Sequence, residues 1–176
     1  AGLLGIYPNH LTLSQEEVFN NVSKIQEKNK INNGKAEDYD FSIEMETGTG
    51  KTYVYLRTIF ELNKRYGFKK FIIVVPSVAI REGVTTSLKL MKEHFKGLYD
   101  NVAFDDFVYQ SKDLSRVRQF AVNNEVQIMV INIQAFQKDA GESVDYAALT
   151  DEQRKKLNII HQEQDKMSGR RPIEYV

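Results

Sequence analysis

A glycine-rich segment places the strongest constraint on the fold of this chain. Residues 45–52 read METGTGKT and follow an apolar-leaning run at residues 41–45. The run predicts a strand, and the glycines predict a tight loop from which a helix begins at Lys51. Glycines let successive backbone N–H groups point at phosphate oxygens, and a helix start adds unpaired donors and a positive dipole end. The segment therefore predicts a nucleotide-binding loop.

Two side chains of this segment carry the chemistry of such a loop. In the pattern G-x-x-x-x-G-K-[ST], the lysine binds the outer phosphates and the hydroxyl binds Mg²⁺. Lys51 and Thr52 supply these groups, whereas Met45 replaces the first glycine of the pattern. We therefore expect Lys51 and Thr52 to be catalytic, with Thr52 as the metal ligand. A simple glycine turn beside a solvated lysine is the alternative.

Composition limits the class of protein. The length of 176 residues corresponds to one domain or a piece of one. Lys plus Arg equals Asp plus Glu at 24 each, so the net charge does not indicate a nucleic-acid partner. The lack of cysteine excludes a disulfide framework and a thiolate metal site. Apolar runs are all too short to span a membrane, so we expect a soluble, intracellular protein without a membrane partner.

The remaining chain alternates between strand and helix signals. Apolar runs predict strands at residues 71–75, 102–109 and 126–131. The first of these, FIIVV, is expected to be a central strand covered on both faces. Apolar spacings of three and four predict helices that begin near residues 15, 51, 78, 114 and 151. The alternation predicts an α/β fold with a mostly parallel sheet flanked by helices.

Ligands of such sheets bind at the carboxyl ends of the strands. The glycine-rich loop lies at one predicted end, and polar residues follow the other strands, at residues 76–77, 109–110 and 132–134. We expect these segments to share one edge of the sheet.

Three stretches together resemble one protein family. METGTGKT (residues 45–52) resembles motif I of superfamily 2 helicase-like translocases of the DEAD/ResIII type. FIIVVPSVAIREGV (residues 71–84) resembles motif Ia, in the form found in the Res subunit of type III restriction endonucleases. IMVINIQAF (residues 128–136) resembles a strand and loop that contact nucleic acid in such motors. The closing residues 168–176 (SGRRPIEYV) resemble the lead-in to motif II.

The resemblance implies a fold, cofactors and partners. It implies a RecA-like P-loop NTPase at residues 41–176, preceded by a helix and loop at residues 1–40. It implies ATP and Mg²⁺ as cofactors, and ATP hydrolysis coupled to action on double-stranded DNA and its cleavage. It also implies a Mod methyltransferase subunit as partner and the bacterial cytoplasm as location.

The resemblance also assigns roles to individual residues. It implies that the nucleotide is bound by Glu46, Thr47, Gly48, Thr49, Gly50, Lys51 and Thr52. Pro76, Ser77 and Gln134 correspond to DNA contacts. Gln15 corresponds to the glutamine that reads adenine in many relatives, although a solvated residue beside a capping box is an equally open interpretation.

The carboxylate pair that ATP hydrolysis requires is not found in the sequence. We therefore expect an incomplete motor domain without motif II, which alone binds nucleotide weakly and does not hydrolyse it. Asp105 and Asp106 imitate a Mg²⁺ site, but the strand pattern continues beyond them through Phe107 and Tyr109. They are expected to lie within a strand.

Two other functions are open at this point. The chain is alternatively a P-loop kinase or other small-molecule ATPase, with Asp105 and Asp106 as metal ligands. It is otherwise a non-catalytic module that docks on DNA or on a methyltransferase and binds no nucleotide.

Overall fold

The computed structural model describes residues 8–31, 39–136 and 149–156, with the single residues 160, 162 and 171. In chain order the helices and strands are α1 (Gln15–Lys28), α2 (Lys51–Tyr66), β1 (Lys70–Val75), α3 (Val78–Leu98), β2 (Phe104–Val108), α4 (Leu114–Val122), β3 (Val126–Asn132), a 3-10 helix (Ile133–Phe136) and α5 (Asp151–Lys156). The alternation confirms the predicted α/β class. No helix of the described ranges is long and apolar enough to cross a membrane.

The three strands form one parallel sheet with β3 in the centre. Val75 of β1 lies opposite Asn132, and Val108 of β2 lies opposite Val130. The carboxyl ends of all three strands therefore meet at one edge. Every residue of β3 up to Ile131 is buried, as expected of a strand that is covered on both faces.

The prediction that residues 71–75 form the central strand is wrong for the described sheet. Within the described ranges β1 pairs with β3 alone, and the side chain of Val74 is 48% exposed. An apolar run such as residues 71–75 indicates that a strand is largely buried. The position of that strand in the sheet depends instead on which neighbouring strands form hydrogen bonds with it. β3 has two such neighbours, so it takes the central place.

The strand predicted at residues 41–45 is also not observed. Residues 41–46 carry no strand hydrogen bonds, and the side chains of Phe41 and Ile43 are 48% and 76% exposed. A strand requires a neighbour that completes its backbone hydrogen bonds. In the part of the chain that the structure describes, β1, β2 and β3 pair only among themselves.

Helices cover both faces of the sheet because β3 sends alternate side chains to opposite sides. Ile128 and Val130 pack with α2 and α3, whereas Met129 and Ile131 pack with α4. A cluster of aromatic rings fills the first layer. The ring of Phe60 lies 4.9 Å from that of Phe95, 5.4 Å from that of Tyr99 and 5.0 Å from that of Phe104.

Helix α1 begins with the predicted capping box. The Ser14 hydroxyl accepts from the Glu17 N–H at 3.3 Å, and the Glu17 carboxylate accepts from the Ser14 N–H at 2.8 Å. These hydrogen bonds hold the pKa of Glu17 below its usual range. No residue of α1 is fully buried, and the capping box satisfies backbone donors at its start.

Replacing Phe60 by alanine tests the aromatic layer. Phe60 is 1% exposed, and its removal leaves a cavity among three rings. We expect Phe60→Ala to lower the free energy of unfolding by about 3–5 kcal/mol, measured by urea denaturation. Leu90→Ala is the matched control, because Leu90 is 79% exposed and its loss costs at most about 0.5 kcal/mol. Equal losses in the two variants would contradict this core.

Candidate nucleotide loop and strand-edge surface

The loop between residues 46 and 50 owes its shape to two glycines. Gly48 and Gly50 adopt φ angles of +82° and +88°, in the left-handed region that side chains disfavour. A methyl group at either position would meet nothing within 4 Å. The requirement for glycine is therefore conformational and does not come from lack of space.

Hydrogen bonds to the Glu46 carbonyl hold this loop closed. The N–H and hydroxyl of Thr49 donate to it at 3.4 and 2.6 Å. The Lys51 ammonium donates to the same oxygen at 2.9 Å and to the Met45 carbonyl at 3.0 Å. An ammonium has three N–H donors, and the third of Lys51 has no acceptor among the described residues. Lys51 therefore shapes the loop and still has a donor for an external oxygen.

The start of α2 adds backbone donors beside this lysine. Gly50 is the N-cap, and no side chain caps the helix. The first helical hydrogen bond runs from the Val54 N–H to the Gly50 carbonyl at 3.0 Å. The N–H groups of Lys51, Thr52 and Tyr53 thus have no acceptor within the helix, and they lie at its positive end. This arrangement suits an anion.

The Thr52 side chain is half-buried in the first turn of α2. Burial raises the pKa of the neighbouring Tyr55 hydroxyl, and Thr52 acts on that pKa in the opposite direction. The Thr52 oxygen has lone pairs for a metal ion.

These residues fit a nucleotide polyphosphate with its Mg²⁺. Backbone donors, the Lys51 cation and the Thr52 hydroxyl match phosphate oxygens and one metal-ligand position. Within the described ranges no cluster of three or more His, Cys, Asp or Glu residues is arranged to hold a metal ion. A divalent cation at this loop would therefore depend on Thr52 and on the phosphate oxygens themselves.

Gln15 and the side chain of Glu46 take no part in the hydrogen bonds that close the glycine-rich loop. Gln15 is the first residue of α1, and its side chain is exposed and makes no hydrogen bond to a described residue. Thr47 and Glu46 are exposed, and Glu46 enters the loop through its backbone carbonyl. The adenine contact of Gln15 stays a prediction.

The three residues predicted to contact DNA meet at the carboxyl edge of the sheet. Pro76 and Ser77 follow β1, and the Ser77 hydroxyl caps α3 by accepting from the Ile80 N–H at 3.3 Å. The Gln134 side-chain amide donates to the Pro76 carbonyl at 3.1 Å. The structure therefore joins the ends of β1 and β3 through these residues.

A second bond across this edge was not predicted from the sequence. The Arg81 guanidinium donates to the Asn132 side chain at 3.2 Å and forms an ion pair with Glu82 at 3.0 Å. Arg81 and Asn132 are 51 residues apart and lie in two different stretches of the sequence. The signal that the sequence offered was the position of Asn132 at the end of the apolar run at residues 126–131.

Asp105 and Asp106 lie within β2, as the sequence pattern indicated. Asp105 forms an ion pair with Arg116 at 3.3 Å. Burial raises the pKa of Asp106, while nearby Lys92 acts in the opposite direction. Because neither carboxylate lies at a strand end, the geometry does not support the metal role that the kinase alternative requires. The predicted lead-in to motif II, residues 168–176, lies outside the described residues apart from Arg171.

Comparison with curated proteins gives three similar Res subunits. The chain is 45% identical over 96 residues to the type III restriction-modification enzyme EcoPI Res subunit of Escherichia phage P1, and 44% identical over 95 residues to the EcoP15I Res subunit of Escherichia coli. Each match covers 51% of this chain and 10% of the relative. The StyLTI Res subunit of Salmonella typhimurium is 43% identical over 68 residues, which is 38% of this chain and 7% of that protein. The chain thus spans about a tenth of the length of the curated relatives it matches.

A family model covers nearly the whole chain. The model described as type III restriction enzyme, res subunit, matches residues 9–168, which include the glycine-rich loop and all three strands. The family has a RecA-like helicase domain, in agreement with the parallel sheet and flanking helices. The chain therefore belongs to the family of type III restriction enzyme Res subunits.

Proposed function

We propose that this chain is the ATP-binding motor portion of a Res subunit. In the whole protein it couples ATP hydrolysis to action on double-stranded DNA and its cleavage, together with a Mod methyltransferase subunit. The observation that carries the proposal is the closed loop in which Lys51 bonds to the Met45 and Glu46 carbonyls at the uncapped start of α2.

The loop supplies the nucleotide half of this function. Gly48 and Gly50 supply the left-handed backbone that such a loop requires, and Lys51 supplies the cation for the outer phosphates. Thr52 would hold Mg²⁺ together with the phosphate oxygens. That ion would supply positive charge opposite the charge that develops on the phosphates during hydrolysis.

The nucleotide loop and the proposed DNA contacts lie at the same end of the sheet. Three residues connect the end of α2 to the start of β1, and α2 packs on the sheet through Leu56, Ile59 and Phe60. So short a connection makes the helix run antiparallel to β1. Its 16 residues span about 24 Å and the 6 residues of β1 about 20 Å. The start of α2 therefore lies near the level of the strands' carboxyl ends.

This common edge supports coupling between the two ligands. Pro76, Ser77 and Gln134 lie at the ends of β1 and β3, joined by the Gln134–Pro76 hydrogen bond. That bond ties the two strand ends together, so the proposed DNA contacts and the proposed nucleotide contact at Lys51 both bear on the same sheet.

Replacing Lys51 tests the nucleotide role. In the intact Res–Mod complex we expect Lys51→Ala to lower DNA-stimulated ATP turnover by roughly 100-fold or more, because a cation that stabilises developing phosphate charge is lost. The measurement is phosphate release with and without duplex DNA. Lys64→Ala is the matched control, since Lys64 lies in the last turn of the same helix. Unchanged turnover in Lys51→Ala would remove the loop from the reaction.

Replacing Gly50 tests the loop conformation separately from its charge. Gly50 has φ +88° and open space around it, so an alanine meets backbone strain of about 1–2 kcal/mol without a clash. We expect Gly50→Ala to weaken binding of a fluorescent ADP about tenfold in the intact Res subunit. Gly97→Ala, in the helical backbone of α3 with similar free space, is expected to leave ADP affinity unchanged. Equal ADP affinity for Gly50→Ala and the unmodified protein would contradict the strained-loop account.

A further inference from the structure

Hydrogen bonds between side chains join α2 to α3 near both ends of α2. The Tyr53 hydroxyl lies 3.0 Å from the His94 Nε2, in a hydrogen bond at the first turn of α2. In the last two turns of α2, the Glu61 carboxylate accepts from the hydroxyl of Tyr99, the C-cap of α3, at 2.9 Å. The partners are 41 and 38 residues apart, so both bonds are tertiary contacts between the two helices.

The ring of Tyr53 adds a second contact with α3. Its centroid lies 5.6 Å from that of His94 and 5.6 Å from that of Phe95, with the Phe95 ring stacked at 26°. Phe95 is 1% exposed and belongs to the aromatic layer around Phe60. Aromatic pairs at such distances are favourable beyond the area they bury. The Tyr53 side chain is therefore held by its ring as well as by its hydroxyl.

Tyr53 belongs to the helical turn that carries the nucleotide donors. Lys51 and Thr52 precede it directly, and its own backbone N–H is one of the donors without an acceptor within the helix. This turn begins at Gly50 and has no side-chain cap, and the first buried residue of α2 is Leu56. Uncapped helix ends fray. The contact of Tyr53 with α3 therefore joins a turn that would otherwise fray to the packed core.

We propose that Tyr53 and His94 are positioning residues for the nucleotide, whose hydrogen bond and ring contact fix the first turn of α2 so that Lys51 and the free N–H groups meet the phosphates in one orientation. The inference rests on the proposed function and names a residue of α3, far from the glycine-rich segment in the chain. Both side chains act through the helix backbone, and the phosphate contacts belong to the loop and to Lys51.

Binding of Mg²⁺ and fluorescent ADP to the intact Res subunit tests this role. Tyr53→Phe keeps the ring and removes the hydroxyl, whereas His94→Leu removes the nitrogen that bonds to it. We expect each variant to bind ADP about fivefold more weakly, because binding must then also order the turn. The double variant should be no weaker than either single variant, since both changes remove the same bond. His94→Gln places an amide near the Nε2 position and should restore affinity to within about twofold of wild type.

Amide hydrogen exchange without nucleotide reports on the turn itself. The N–H groups of residues 54–56 donate to carbonyls of the first turn, as Val54 does to Gly50 at 3.0 Å. We expect faster exchange at residues 54–56 in Tyr53→Phe and His94→Leu, with unchanged exchange in β3. A general loss of stability would instead speed exchange in both places.

Tyr99→Phe is the matched control. It makes the same chemical change between the same two helices, at the other end of α2. We expect it to retain wild-type ADP affinity and wild-type exchange at residues 54–56. The thermal unfolding midpoint of every variant separates effects on binding from effects on folding.

The failures of the two proposals are distinguishable. Wild-type Res subunit that does not bind ADP would overturn the proposed function and the positioning role with it. Wild-type protein that binds ADP, with unchanged affinity in Tyr53→Phe and His94→Leu, would overturn the positioning role alone. So would equal weakening by Tyr99→Phe, which would assign the effect to helix packing in general, or an affinity of His94→Gln as low as that of His94→Leu.

Discussion

The burial of β3 from Val126 to Ile131 is the constraint on which the rest of the described structure depends. Its side chains from Val126 to Ile131 pack against helices on both faces of the sheet. Its backbone pairs with β1 on one side and with β2 on the other. A buried strand has no water for its polar groups, so both neighbours are needed to complete its hydrogen bonds. Because both pairs are parallel, the chain must return across the sheet through helices. The polar ends of all three strands consequently lie at one edge.

The sequence predicts the local elements well because each depends on nearby residues. The capping box of Ser14 and Glu17 and the apolar run of β3 both form where the sequence indicates them. Strand order is different, since it depends on partners that are distant in the chain. The run at residues 71–75 looks as buried as β3 in the sequence, but in the described sheet it has one neighbour, and residues 41–45 have none.

The candidate site shows the same division. The glycine-rich loop is predictable because glycines, lysine and threonine act within eight consecutive residues. Its internal bonds, from Lys51 to the carbonyls that precede the glycines, follow from that closeness. The bond between Arg81 and Asn132 is not predictable in this way. Arg81 lies in α3 and Asn132 at the end of β3, and the pairing of the strands in the sheet brings them together.

The central claim is that the closed loop at the start of α2 is a nucleotide site. Amide hydrogen exchange of the intact Res subunit, with and without Mg²⁺–ADP, measures this directly because the proposed contacts are backbone N–H groups. The account predicts slower exchange on addition of ADP at residues 48–53, with no change in α1 beyond its first turn. Exchange at residues 48–53 that is unaffected by saturating Mg²⁺–ADP would contradict it.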